Sequence, residues 1–231
     1  MAPRDPPLKI GALLYEGVDQ IDLTGPFEVL SRLPGASFTI YGVDPGPVRD
    51  VNGLRLAPDG VLEDAPQLDV LHVPGGSGQE ALMDDARVLA WLRRQAQGAA
   101  CVFSVCTGAL LLGAAGLLRG RRATTYWAVH HLLPLYGAVA VDARVVADGR
   151  YLCAAGVTAG IDGALRLAAD LRGVEAAQRI QLEMAYAPEP PFESGSPDDA
   201  PPTVLEAVRA AMADRTARRA AAARSFAASS A

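Results

Sequence analysis

The chain has 231 residues, half of them apolar, with a formal net charge of −5 at pH 7. That length suits one buried core, as a single domain or a domain with a terminal extension, rather than separate modules. The acidic balance gives no broad basic surface for nucleic acid or an anionic bilayer, and the Ala- and Leu-rich stretches are broken by Arg, Gly and Asp too often to span a membrane. Three cysteines, Cys101, Cys106 and Cys153, include no C-x-x-C pair and do not make a secreted disulfide scaffold. The N-terminal MAPRDPPLKIGALLY holds one short apolar run and no clear cleavage site. A reducing, cytoplasmic setting is expected.

Short β-rich apolar runs alternate with amphipathic segments, which predicts an α/β fold, a mostly parallel sheet with helices on both faces. Lys9 to Tyr15 reads as the first strand, and proline's fitness for a first helical turn places the next helix from Gly25-Pro26 to about Leu33. Ser37 to Val43 is a second strand, and Asn52-Gly53 within Val48 to Ala57 marks a small antiparallel hairpin. Val70 to Val73 is a buried strand ending in Pro74-Gly75-Gly76, followed by a helix over Ala86 to Gln97 with Val88, Leu89 and Leu92 inward. Ala99 to Val105 is a compact apolar strand that leads through Cys106-Thr107-Gly108 into a helix from Ala109 to Ala115, stopped by Gly116. Val139 to Val146 and Tyr151 to Ala155 flank Asp148-Gly149 as a hairpin, and Gly160 to Leu171 and Val174 to Ala185 are helices parted by Gly173. Residues 1–187 thus form the α/β domain. Residues 188–231 form an extension: a Pro-, Ser- and acid-rich segment from Pro188 to Pro202, then a helix over Thr203 to Ala223 with a thin apolar face, packing on the domain or on a partner.

The chemistry concentrates at the junction after the Ala99 to Val105 strand. Ser104-Val105-Cys106-Thr107-Gly108 has the layout of the G-x-S-x-G nucleophile elbow, with Cys in the place of the serine. The start of a helix favours a thiolate, so the Cys106 sulfur is expected to be more acidic than a free thiol. Pattern alone leaves open that Cys106 is a buried core cysteine; for Cys101 and Cys153, both inside strands, that is the preferred reading. The Thr107 N–H, with that of Gly75 or Gly76, could hold an anionic intermediate if the two strand ends are neighbours. Pro74-Gly75-Gly76-Ser77-Gly78 fits neither the P-loop nor G-x-G-x-x-G. His72, His130 and His131 have no distinctive spacing. Asp22 lies past the first strand, at the sheet edge where ligands collect, though it could instead be a helix cap ahead of Pro26.

On these residues the chain resembles the DJ-1/PfpI superfamily, and within it the isocyanide hydratase branch. The likeness runs through Gln20 to Pro26, Val73 to Gly76, Ser104 to Gly108, Gly113 to Leu118, Arg122 to Thr125, Gly156 to Asp162 and the tail motifs Tyr186-Ala187-Pro188 and Pro190-Pro191-Phe192. The resemblance implies a flavodoxin-like domain and a homodimer, with neither cofactor nor metal. It also implies a small-molecule isocyanide substrate attacked by Cys106, with Asp22 moving protons, Thr107 donating beside the sulfur and Gly76 adding a second donor. Gly156, Val157, Tyr126 and Trp127 would wall the pocket. Thr107 stands where PfpI-type peptidases carry His, Tyr126 replaces the His of a familiar Thr-Thr-His-Trp run, and Asp22 replaces the Glu of DJ-1. A glyoxalase or deglycase acting on reactive carbonyls, a cysteine redox sensor and the ligand-binding half of a transcription regulator are the rival readings. The tail after Tyr186 is too short for a full helix-turn-helix module.

Overall fold

Residues 6–229 are described by a computed structural model. In chain order, β1 (Leu8–Leu14) leads to α1 (Gln20–Leu30), β2 (Ala36–Gly42), the hairpin β3 (Val48–Arg49) and β4 (Arg55–Leu56), and β5 (Gly60–Val61). The centre is β6 (Val70–Val73), α2 (Gln79–Leu82), α3 (Ala86–Gly98), β7 (Cys101–Val105) and α4 (Gly108–Ala114). After β8 (Arg122–Ala123) come a 3-10 helix over Trp127–Tyr136, β9 (Val139–Ala140), β10 (Val145–Asp148), β11 (Tyr151–Ala154), α5 (Ala159–Arg172), α6 (Val174–Glu183) and α7 (Pro202–Ser229).

Seven strands form one sheet in the order β10-β11-β7-β6-β1-β2-β5. The β10–β11 pair is antiparallel and the other pairs are parallel. The strand period of two sends Cys101, Phe103 and Val105 of β7 to one face, beneath α1, α5 and α6, and Val102 to the other, beneath α3, α4 and α7. Both faces are therefore dry, which is why β6 and β7 read as unbroken apolar runs. The chain passes from β1 to β2 on one side and later enters β6 on the other. This makes a switch point at the carboxyl ends of β1 and β6, the place where open α/β sheets bind ligands.

Three expectations need correction. First, α1 begins at Gln20, not at Gly25-Pro26, because Asp19 caps it by accepting from the Ile21 N–H at 3.1 Å. Pro26 is then interior. Its missing N–H would have bonded the Asp22 carbonyl one turn back, and His72 Nε2–H donates to that carbonyl instead, at 2.9 Å. Second, Val139 to Val146 is not one strand. The Ala143 N–H closes on the Val141 carbonyl at 3.1 Å and turns the chain, so β9 pairs in parallel with β8 while β10 joins the main sheet. Third, the last helix extends past Ala223 to Ser229, and it packs on Trp127–Tyr136 and on α2 of the same chain, with Arg219, Ala220 and Ala223 buried. Residues 188–201 carry no helix or strand, in keeping with their composition.

Candidate active site

Cys106 sits at the turn from β7 into α4 with a φ of 56°, a left-handed conformation that costs a non-glycine residue about 1–2 kcal/mol. Two hydrogen bonds hold it there. Its N–H donates to the Ala154 carbonyl of β11 at 2.9 Å, and its carbonyl accepts from Thr125 Oγ1 at 2.7 Å. Thr125 carries no signal in the sequence beyond its place in a quoted motif, because its partner is 19 residues away. The side chain of Cys106 is 7% exposed and lines a cavity of about 180 Å3, so the sulfur is reached through that cavity rather than from open solvent.

The corrected start of α1 puts Asp22 in its first turn, fully buried, with Oδ2 accepting from the Gly75 N–H at 3.1 Å. Asp22 is therefore not a cap; that role falls to Asp19. The Asp22 carboxyl and the Cys106 thiol are near enough to shift each other's ionisation, and Asp22 Oδ1 is buried with no hydrogen-bond partner among the described residues. Burial pushes the Asp22 carboxyl well above the usual range, with the Asp19 charge adding to the rise. Burial also pushes the Cys106 thiol well up, and neighbouring Asp22 pushes it further, against a lowering by the Thr107 backbone N–H. The expectation of a more acidic sulfur is overturned, because loss of solvent and a nearby carboxyl outweigh the helix start. Both groups are thus pushed toward their protonated forms.

Thr107 and the glycine loop meet as expected, but the two glycine donors are already in use. The Gly76 N–H donates to Thr107 Oγ1 at 3.1 Å, and that hydroxyl lies 3.2 Å from the Gly76 carbonyl. The Thr107 hydroxyl thus ties the loop to the elbow, and its backbone N–H is the group directed at the sulfur. A Cβ on Gly75 would fall 2.6 Å from the Thr107 nitrogen and 2.9 Å from Asp22 Oδ2. Gly75→Ala is expected to lower turnover about 10²-fold by displacing the carboxyl from the sulfur. Steady-state rates beside a thermal melt check this; full activity would show that the contact is tolerated.

Gly156, at a φ of 143°, comes so near the elbow that a Cβ there would lie 3.4 Å from Cys106 Sγ. Val157 and Tyr126 line the Cys106 cavity. Trp127, its ring 5.5 Å from that of Tyr126, instead borders an adjoining cleft with Gly156, Val157 and Gly195 to Pro197. His72 is buried and neutral, its pKa lowered to about 4 by burial. The Cys101 thiol is pushed up by burial to about 12, and that of Cys153 is raised for the same reason, as suits core residues. Among the described residues no group of three or more His, Cys, Asp or Glu is placed to hold a metal ion.

The sequence reading missed Arg219. It is 3% exposed, on α7, and donates to the Gly76 carbonyl at 2.8 Å and to Gln79 Oε1 at 2.7 Å, with Glu80 3.5 Å away. The last helix thereby clamps the glycine loop that positions Asp22 and Thr107. No local signal marks this arginine within an Ala- and Arg-rich tail.

A cysteine at a strained strand-to-helix elbow, paired with a buried carboxyl at the switch point of a flavodoxin-like sheet, defines the class of site. The chain belongs to the DJ-1/PfpI family, whose model matches residues 8–170. It is 53% identical over 202 residues to the isonitrile hydratase of Pseudomonas putida, covering 87% of this chain and 89% of that one. A crystal structure of a ThiJ/PfpI family protein from Pseudomonas syringae superposes with a TM-score of 0.93 at 38% identity, over 96% of this chain and 92% of that one. Drosophila melanogaster DJ-1beta superposes with a TM-score of 0.69 at 25% identity, over 79% of this chain and all of that one.

Proposed function

We propose that this protein is an isocyanide hydratase, which adds water to an isocyanide through a thioimidate on Cys106 and releases an N-substituted formamide. The observation that carries the reading is Cys106, on the wall of a small cavity, with the buried Asp22 carboxyl beside it. The likeness to the isonitrile hydratase supports it from the sequence side.

The terminal carbon of an isocyanide takes both a nucleophile and a proton, so a thiol with a carboxylic acid beside it suits it. Sγ bonds to that carbon, and the thiol's proton passes to the same carbon with Asp22 assisting the transfer, giving R–N=CH–S–Cys106. Water then adds to this carbon while nitrogen gains a proton, with Asp22 accepting and returning protons. Collapse of the tetrahedral adduct breaks the C–S bond, returns a proton to the pair and leaves R–NH–CHO. The Thr107 N–H stabilises charge on the sulfur as the C–S bond forms and breaks.

Purified protein is expected to convert a simple alkyl isocyanide to its formamide. A yield no greater than the buffer control would end the reading, and methylglyoxal consumed in preference would favour action on reactive carbonyls. A cytoplasmic homodimer belongs to the same proposal. It is supported by three unpaired cysteines, by the lack among the described residues of a helix long and apolar enough to cross a membrane, and by exposed Val204 and Val208 on α7. Sedimentation velocity showing a single-chain species would reject the dimer.

A further inference from the structure

Two arginines of α7, Arg215 and Arg219, stand four residues apart on one side of the helix, and both line the cavity that holds Cys106. Arg219 is engaged by Gly76, Gln79 and Glu80. Arg215 is half-buried and, among the described residues, makes neither a hydrogen bond nor an ion pair. Asp19, which lines the same cavity, and Glu80 already have other partners. Glu80 serves Arg218 and Arg219, and Asp19 caps α1 through the Ile21 N–H. Val51, Val157, Met212 and Tyr126 form the apolar part of the wall, which Asp19, Ser77 and Thr107 share.

A guanidinium partly removed from water without a partner is destabilising, and an incoming anion offsets that cost. Its planar fork pairs bidentately with carboxylate and phosphate, and the carboxylate is the smaller of the two for a cavity of about 180 Å3. Hydration at Cys106 needs no cation at the far end of the substrate, so an alkyl isocyanide would desolvate Arg215 and return nothing. We infer that the preferred substrates are isocyanides whose substituent carries a carboxylate, which Arg215 binds while the terminal carbon rests at Cys106. The inference rests on the hydratase reading and adds the substrate class to it.

The test compares kcat/KM for isocyanoacetate and its methyl ester, near-isosteres that differ in charge, in the parent protein, Arg215→Met and Arg215→Lys. The parent is expected to favour the acid by about tenfold or more, the size of one charge-assisted contact, with the preference shrinking as salt rises. Arg215→Met should abolish the preference and Arg215→Lys keep part of it. Because each ratio is taken within one preparation, a loss of folded protein cancels. Equal use of acid and ester by the parent, or a preference that survives in Arg215→Met, would overturn the inference while leaving the hydratase reading intact. No formamide from either compound would remove both.

Discussion

Cys106→Ala is expected to lower isocyanide hydration by about 10⁴-fold or more, the scale of loss seen when a covalent nucleophile is deleted. No other thiol can replace it. Cys101 and Cys153 are buried in strands, and neither borders the cavity. The backbone at residue 106 is held by Ala154 and Thr125 through main-chain atoms, so the elbow keeps its shape in the alanine variant and the melting temperature should change little. Formamide quantified by chromatography checks the rate. Intact-mass measurement on the parent under turnover should find a thioimidate one isocyanide heavier than the free chain, absent from Cys106→Ala. Retention of more than about a hundredth of the parent rate would take the nucleophile's role from Cys106.

Asp22→Asn is expected to cost about 10²- to 10⁴-fold in kcat, the range for removing a positioned acid–base group. The amide oxygen can still accept from the Gly75 N–H, so the loop stays in place, while the group facing the sulfur can no longer take up and return a proton. Stability should move the other way. Burial raises the Asp22 pKa, so the folded state binds that proton more tightly than the unfolded chain does. The carboxyl thus weakens the fold as pH rises above the ordinary carboxylate range. Asp22→Asn is expected to melt no lower than the parent at neutral pH, with any advantage fading as pH falls through that range. A variant that melts well below the parent would mean that the carboxylate itself holds the fold together.

The sheet and the elbow were legible because their signals are local. β6 coincides with the predicted run Val70 to Val73, and β7 and α4 lie within a residue or two of their expected bounds, because dry parallel strands and small turn residues mark themselves in sequence. The start of α1 was misread for a related reason: Pro26 is a good first-turn residue, and only His72, on a strand 50 residues from Asp22, makes it tolerable inside a helix. The acidity of Cys106 went wrong in the same way. A helix start is visible in a few residues, whereas the desolvation that outweighs it is built by side chains from many elements.

Residue types at fixed spacings specified an α/β sheet, a cysteine at a strand-to-helix junction and an aspartate near the neighbouring edge. Whether those two groups meet could not be read along the chain, because 84 positions separate them and the parallel crossovers that bring β1, β6 and β7 side by side are long-range pairings. Packing alone placed Arg219 and Arg215 of a compositionally plain tail over the cavity, since the turn of a helix that faces a site depends on the surface it meets. Burial then raised the pKa values of both Cys106 and Asp22, a property of exclusion from water that no short stretch of residues encodes.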